Sequence, residues 1–330
     1  MKYDILTIGG IMRDVIFLTE EGTIVENPQN PLCQRLICFE LGAKIYVNRV
    51  YFEAGGGASN TAVGFSKLGL KTAIMGRVGR DKEGEELIKS LKSNGVETRW
   101  IQIDKKISTG FSTILGLSNR KRAHAIFAYR GTNDKLFLKI DRKEARKVEW
   151  VYLSSLSSPV WEKFLKDAFS LKTGKVKMAW NPSNVQLKAG WKRLDKYLRK
   201  TDVLIVNDDE ARELVLSKAK TRDLSDERML QELYKMGSRI AVITVGKKGA
   251  MACCGGKIYH QKAAPAEVIH ATGAGDSFSA GFIASLFYKP ADIQRALKWG
   301  VTNSASVIDQ VGAQKGLLNK SQIIKLSKNV

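Results

Sequence analysis

Val268-Ile269-His270-Ala271-Thr272-Gly273-Ala274-Gly275-Asp276-Ser277-Phe278 leads into the small-residue run Ser279-Ala280-Gly281-Phe282-Ile283-Ala284. The pattern predicts a helix that begins at the Gly-Ala-Gly turn. Residues this small leave the N–H groups of a helix N-terminus unobstructed, and such a terminus receives a phosphate or a developing oxyanion. Asp276 falls in the first turn. A carboxylate there can take a proton from a hydroxyl while Gly273, Ala274 and Gly275 hold the phosphoryl group that the hydroxyl attacks. Complementing the helix dipole would explain an aspartate, but not the three small residues before it.

A second segment, Ala54-Gly55-Gly56-Gly57-Ala58-Ser59-Asn60-Thr61-Ala62, precedes a predicted helix that runs through Leu68 and Gly69. Three consecutive glycines let the backbone pass close to a ligand. Ser59, Asn60 and Thr61 then open the helix with free N–H groups and polar side chains aimed at one place. Taken alone, the segment is equally a flexible turn followed by an N-cap. It is neither a Walker A loop, since no Gly-Lys-Ser/Thr follows, nor a convincing G-x-G-x-x-G.

These residues need a scaffold, and the rest of the chain suggests one. Short apolar runs at 5–8, 73–78, 148–153, 176–180, 203–206 and 240–245 read as strands, several of them near-continuous, as in a parallel sheet buried on both faces. Between them lie amphipathic segments at 83–91, 161–171 and 210–216. The alternation predicts an α/β fold, a doubly wound and mostly parallel sheet with helices on both faces. Two stretches break the rhythm. Residues 15–53 hold Gly22, Pro28 and Pro31 and then the apolar runs 36–39 and 44–47; residues 108–131 read as two strands, 109–117 and 123–129, around a basic turn at 118–122. The expectation is a small β lid built from 15–53 and 108–131, set on a core of 1–14, 54–107 and 132–330.

The sequence resembles the PfkB, or ribokinase-like, family of carbohydrate kinases over nearly its whole length. The segment at 54–62 is similar to that family's first signature, and 271–276 to its second, D-T-x-G-A-G-D. Gly9-Gly10 through Asp14 resembles the opening strand, Asn181-Pro182 a strand end, Asn207-Asp208-Asp209-Glu210 the N-x-x-E element, and Thr244-Val245-Gly246-Lys247-Lys248-Gly249 the T-x-G-x-x-G turn. The resemblance implies a ribokinase-like fold and an ATP-dependent kinase. Asp276 would be the base, and Gly273, Ala274 and Gly275 the anion hole. Asp14, Gly56, Gly57 and Asn60 would hold the sugar. Asn181, Asn207 and Glu210 would lie near the ATP phosphates, Glu210 organising Mg²⁺ through water. Thr244, Gly246 and Gly249 would line the nucleotide, with Asn303 near the adenine. Phosphoryl transfer asks for little beyond positioning and charge neutralisation, which agrees with this set.

Two departures from the family pattern bear on function. His270-Ala271 stands where Asp-Thr is usual, and that aspartate helps bind a monovalent cation, so little dependence on K⁺ is expected. Gly57 stands where ribokinase proper has lysine, which weakens ribose as the particular substrate. A nucleoside or a sugar phosphate remains open as acceptor; for the latter, Arg130 or the basic turn at 120–122 could supply a second anion site, and Asn133 and Asp134 could also reach the substrate.

Composition narrows the classes further. The 330 residues carry 54 Lys and Arg against 33 Asp and Glu, a net charge of +21. The basic residues are scattered, Lys163, Lys166, Lys172, Lys175, Lys177 and Lys188 falling mostly between apolar ones, as on solvated helix faces. A nucleic-acid-binding protein with a retained kinase fold is the alternative from another class, and intact Asp276 and residues 273–275 argue against it. Cys33 and Cys38, and the adjacent Cys253 and Cys254, have neither zinc-knuckle spacing nor the number of a disulfide framework. No run approaches the roughly 18 apolar residues of a membrane span, and the N-terminus does not resemble a signal peptide. A cytoplasmic enzyme without a membrane or dedicated nucleic-acid partner is expected, with a homodimer through the lid as its candidate assembly.

Overall fold

The structure, a computed structural model, describes residues 2–27, 35–117, 124–138, 140, 142–156, 158–218, 224–269 and 271–330. Pro28, Pro31, Cys33, the basic turn at 118–122 and His270 lie outside the described residues. In chain order the strands are β1 (Tyr3–Ile8), β2 (Met12–Thr19), β3 (Thr23–Glu26), β4 (Arg35–Cys38), β5 (Arg49–Gly55), β6 (Thr72–Met75), β7 (Arg77–Gly79) and β8 (Gln102–Asp104). There follow β9 (Gly110–Leu117), β10 (His124–Tyr129), β11 (Val148–Leu153), β12 (Lys177–Trp180), β13 (Val203–Asn207), β14 (Ile240–Thr244), β15 (Ala250–Cys254) and β16 (Lys257–Gln261). The helices are α1 (Gly57–Lys67), α2 (Lys82–Ser93), α3 (Arg142–Ala145), α4 (Trp161–Phe169), α5 (Asn184–Lys188) and α6 (Trp191–Leu198). The remainder are α7 (Asp208–Leu216), α8 (Asp226–Lys235), α9 (Ala274–Tyr288), α10 (Ile293–Ile308) and α11 (Lys320–Leu326).

The main sheet runs β16-β15-β14-β13-β12-β11-β1-β6, parallel from β14 to β6 and closed at one edge by the antiparallel β15–β16 hairpin. Successive residues of one strand enter different cores. Leu6, Val151 and Leu153 pack with α4, α6, α7 and α8, whereas Ile5, Trp150 and Tyr152 pack with α1, α9 and α10. Burial on both faces is why these strands read as unbroken apolar runs.

A second sheet has the order β10-β9-β2-β5. It joins the main sheet through Gly9 and Gly10, and pairing within it begins at Met12. Asp14 therefore stands on the second sheet, just outside the stretch expected to form the lid. Side-chain direction alternates along β2. Asp14, paired with Glu53 and Ser112, faces one way; Val15, paired with Phe52 and Thr113, faces the other.

Three other expectations change. The apolar run at 73–78 is two strands broken at Gly76, where a side chain would meet Ile11 Cδ1 at 2.5 Å. Residues 44–47 form no strand; Tyr46 instead receives Thr19 Oγ1–H at its carbonyl, 2.7 Å away, and offers its N–H to Glu21 at 3.3 Å. The β15–β16 hairpin is an addition to the expected elements, although Gly255-Gly256 marks its turn, both residues having positive φ (58° and 77°).

Candidate active site

The C-terminal ends of the parallel strands and the near face of the second sheet converge on one cleft. Helix α9 points its N-terminus into that cleft, and its small residues determine how. A side chain on Gly64 of α1 would lie 2.7 Å from Ala280 Cβ, and one on Gly281 would lie 2.6 Å from the carbonyl of Trp299 in α10. Such close approach wedges α9 between α1 and α10, and it brings Asp276 beside Asn60. Asn60 Nδ2 donates to Asp276 Oδ2 at 2.8 Å.

Gly273 is the N-cap of α9, with φ 83°, and a side chain there would strike Ala313 Cβ at 2.5 Å. A Cβ on Gly275 would meet nothing within 4 Å. The N–H groups of Gly275 and Asp276 find no acceptor among the described residues. Space and unpaired donors therefore coincide at the helix start, as an anion hole requires. Asp276 is partly exposed at the base of the cleft. Burial by the surrounding protein raises its carboxyl to about 6, helped by the negative charge of Asp14, while the Asn60 hydrogen bond opposes the rise.

Asp14 is buried, 5 % exposed, and accepts from Ser112 Oγ at 2.5 Å. Burial raises its pKa, and Ser112 and Arg13 oppose the shift. The glycine loop fits tightly around it. A Cβ on Gly55 would overlap Asp14 Oδ2 at 2.1 Å, and one on Gly56, whose φ is 91°, would meet the carbonyl of Gly10 at 2.4 Å. Gly57 faces both Ser154 and Asp276, since a side chain there would lie 2.2 Å from Ser154 Oγ and 3.2 Å from Asp276 Oδ1. Ser154 thus fills the start of the path that a longer residue at position 57 would take.

On the other side of α9, Thr244, Gly246 and Gly249 line a cavity of about 130 Å³ together with Ala274 and Gly275. Its apolar wall comes from Ala263, Ala264, Val301, Ala305 and Ile308. Asn303 is not part of this wall. Its side chain is fully buried, donating to the Ser277 carbonyl at 2.7 Å and accepting from Leu318 N–H at 3.1 Å, so it ties α10 to α9, and its neighbour Ser304 lines the cavity instead. Asn181 follows β12 and donates to the Ile205 carbonyl at 2.9 Å. Asn207 and Glu210 form a reciprocal cap at the start of α7: Glu210 N–H donates to Asn207 Oδ1 at 2.8 Å, and Asn207 N–H donates to Glu210 Oε2 at 2.9 Å. Burial raises the Glu210 pKa, and the charges of Asp209, Glu213 and Asp208 add to the rise.

Residues 4–320 match the pfkB family of carbohydrate kinases. The chain belongs to that family. An uncharacterized sugar kinase of Archaeoglobus fulgidus is 28% identical over 263 residues, covering 77% of this chain and 98% of that protein. The 5-dehydro-2-deoxygluconokinase of Geobacillus kaustophilus is 28% identical over 283 residues, covering 82% and 83%. Among solved structures, Arabidopsis thaliana ribokinase complexed with ribose and ATP superposes with a TM-score of 0.78 at 20% identity over 99% of both chains. The pfkB kinase described here is thus a ribokinase-like α/β enzyme that phosphorylates its substrate at the expense of ATP.

The segment just after α10 carries no expected role in the sequence, yet it braces both signatures of the kinase. Ala313 abuts Gly273. Gln314 Nε2 donates to Asn60 Oδ1 at 3.0 Å and to Ser59 Oγ at 3.1 Å. Lys315 pairs with Glu53 of the second sheet. The run Gly312-Ala313-Gln314-Lys315-Gly316 was the available signal, since a side chain on Gly316 would lie 2.0 Å from the Ser306 carbonyl. Asn133 proves structural: it accepts from Ile11 N–H and donates to the carbonyls of Ile11 and Arg130, clamping the connection between the sheets.

Proposed function

We propose that this pfkB kinase transfers the γ-phosphoryl group of ATP to a hydroxyl of a small polyhydroxy, sugar-like substrate, with Asp276 as general base. The observation that carries the reading is the Asn60–Asp276 pair at the open N-terminus of α9, across the cleft from Asp14. Asp14, Gly56, Gly57 and Asn60 hold the acceptor, and Asp276 takes the proton of the hydroxyl that attacks. Gly273, Ala274 and Gly275 receive the charge that develops on the transferred group. Thr244, Gly246 and Gly249 seat the nucleotide against the apolar wall, with Asn181 and Asn207 on the phosphate side. Water-mediated contacts suit Mg²⁺ here, because among the described residues no three acidic, histidine or cysteine side chains converge. Glu210 fits that role through water: Oε1 has no protein partner among the described residues, and a cation would relieve the negative charge around α7. When bound, Mg²⁺ neutralises phosphate charge. The second sheet, hinged at Gly9 and Gly10, serves as the lid that excludes water.

The test is ATP consumption by the purified protein against a panel of sugars, nucleosides and sugar phosphates. Turnover with one polyhydroxy acceptor well above hydrolysis is expected. Selective turnover of nucleosides or of already phosphorylated sugars would replace the sugar-like acceptor while leaving the chemistry in place.

A further inference from the structure

The chain carries a net charge of +21, and no Lys or Arg is among the residues assigned above to the catalytic site. The structure gathers part of it at the opposite edge of the main sheet, where the parallel strands begin. A concavity of about 950 Å³ is lined there by Lys2, Arg146, Lys172, Lys175, Lys177 and Arg239. Lys and Arg are six of the twelve residues lining this cavity, against two acidic ones. The acidic members are Glu149 and Asp202. Asp202 is already engaged, pairing with Lys172, accepting from Met178 N–H at 2.7 Å and lying 3.6 Å from Arg239. Lys2, Arg146 and Lys175 have no acidic partner among the described residues.

Two further observations meet at the same place. A second cavity of about 220 Å³ shares Lys177, Asp202 and Arg239 with the first, but its other walls include Trp150, Leu286, Pro290 and Ala291. Ala291, in the turn between α9 and α10, has φ 68°, the single non-glycine residue with positive φ among those described. Backbone strain of this kind collects where a ligand or a switch is held.

We propose that this edge binds a nucleoside polyphosphate at a site separate from the catalytic cleft. The phosphates occupy the basic concavity, where charge-assisted hydrogen bonds from lysine and arginine are strongest. The flat, less polar end enters the cavity walled by Trp150 and Pro290. The two cavities divide the lining as such a ligand does, into a cationic half and an apolar half. A single strand of nucleic acid is the poorer fit, because it needs exposed aromatic rings for stacking, and Trp150 is buried beneath Lys177 Nζ, 5.0 Å from its ring centre. The site also lies a strand length from Asp276. Val148, Lys177 and Asp202 stand at the starts of β11, β12 and β13, whereas Ser154, Asn181 and Asn207 mark their far ends.

Equilibrium dialysis of the full chain against the nonhydrolysable analogue AMP-PNP with Mg²⁺, at physiological salt, tests this. Two equivalents bound per chain are expected. Arg146→Glu with Lys175→Glu should leave one, with kcat and melting temperature unchanged, since neither residue takes part in catalysis. Loss of two charge-assisted contacts predicts a weakening at this site of about tenfold or more. A bound count that does not fall on charge reversal overturns the proposal. Displacement of the lost equivalent by duplex DNA of equal phosphate concentration also overturns it, by giving the edge to nucleic acid. If the catalytic cleft bound no nucleotide, the count would fall from one to none, so the two readings fail separately.

Discussion

At the scale of single residues, the proposed chemistry rests on Asp276 and on what surrounds it. Its carboxyl is held at about 6 against an ordinary 3.8, so turnover should rise with pH through about 6 as the base loses its proton. The same shift sets a stability effect of definite sign. The folded state keeps this proton between 3.8 and about 6, so the group destabilises the fold as pH rises through that window. Asp276→Asn removes the effect. Its kcat should fall about 10²–10⁴-fold. Its stability at pH 8 should exceed the parent's by on the order of 2 kcal/mol, a gain that vanishes near pH 4. Turnover and melting temperature measured on the same variant decide it, and full turnover would sink the mechanism. Gln314 acts one bond further out. Its amide donates to Asn60 Oδ1 and so turns Asn60 Nδ2 toward Asp276. Gln314→Glu keeps the shape but offers an acceptor, which draws Asn60 Nδ2 away. We expect kcat to drop about tenfold or more and the pH–rate midpoint to move upward, with KM for ATP unchanged. In an Asn60→Ala background the same change should have little further effect. Equal losses in both backgrounds would show that Gln314 is only structural.

Elements decide whether those residues meet. Helix α9 was legible in the sequence because its start and its small residues coincide, and the 54–62 loop because its glycines precede a helix. The loop's glycines prove to be demanded by contacts: Gly55 with Asp14 and Gly56 with Gly10. Other parts were hidden, for physical reasons. Asn303 looks like a polar residue on a helix near the nucleotide, yet one of its hydrogen bonds goes to α9 and the other to the segment after α10, a long-range arrangement that no local pattern announces. The break at Gly76 likewise depends on Ile11, a residue far away along the chain, approaching the backbone there. The packing of α9 gives an element-scale test. Gly281→Val would force side-chain atoms against the Trp299 carbonyl, where even a Cβ lies 2.6 Å away. Moving α9 off α10 carries Asp276 away from Asn60. A destabilisation of about 1–3 kcal/mol is expected from overpacking. The loss in kcat should persist at temperatures where the variant is fully folded, as followed by circular dichroism and steady-state rates.

Across the whole molecule, two sheets flank the cleft, and the second of them has two unlike faces. One carries Asp14, Ser112, Ile16 and Ile114, all buried toward the cleft. By strand alternation the other carries Phe52, Phe111, Phe127 and Tyr129, which are 44–67 % exposed, with Val50 on the same side of β5 as Phe52. Scattered exposed apolar residues are ordinary, but aromatic residues gathered in register on one sheet face suit a surface that another protein would cover, and we predict that one does. A second copy of the chain is the simplest cover, because a two-fold axis sets the same patch against itself. The expected species in solution is therefore a dimer of twice 36.6 kDa by light scattering. Phe52→Asp with Phe127→Asp should yield monomers, since like charges would be buried against each other at the axis. Both side chains point away from Asp14, so the active site keeps its residues in the monomer. What the monomer loses is support for the sheet that presents Asp14, so KM for the acceptor should rise several-fold while KM for ATP stays the same. A parent protein that is monomeric at tens of micromolar would refute the dimer. An unchanged acceptor KM in a monomeric variant would separate assembly from substrate binding.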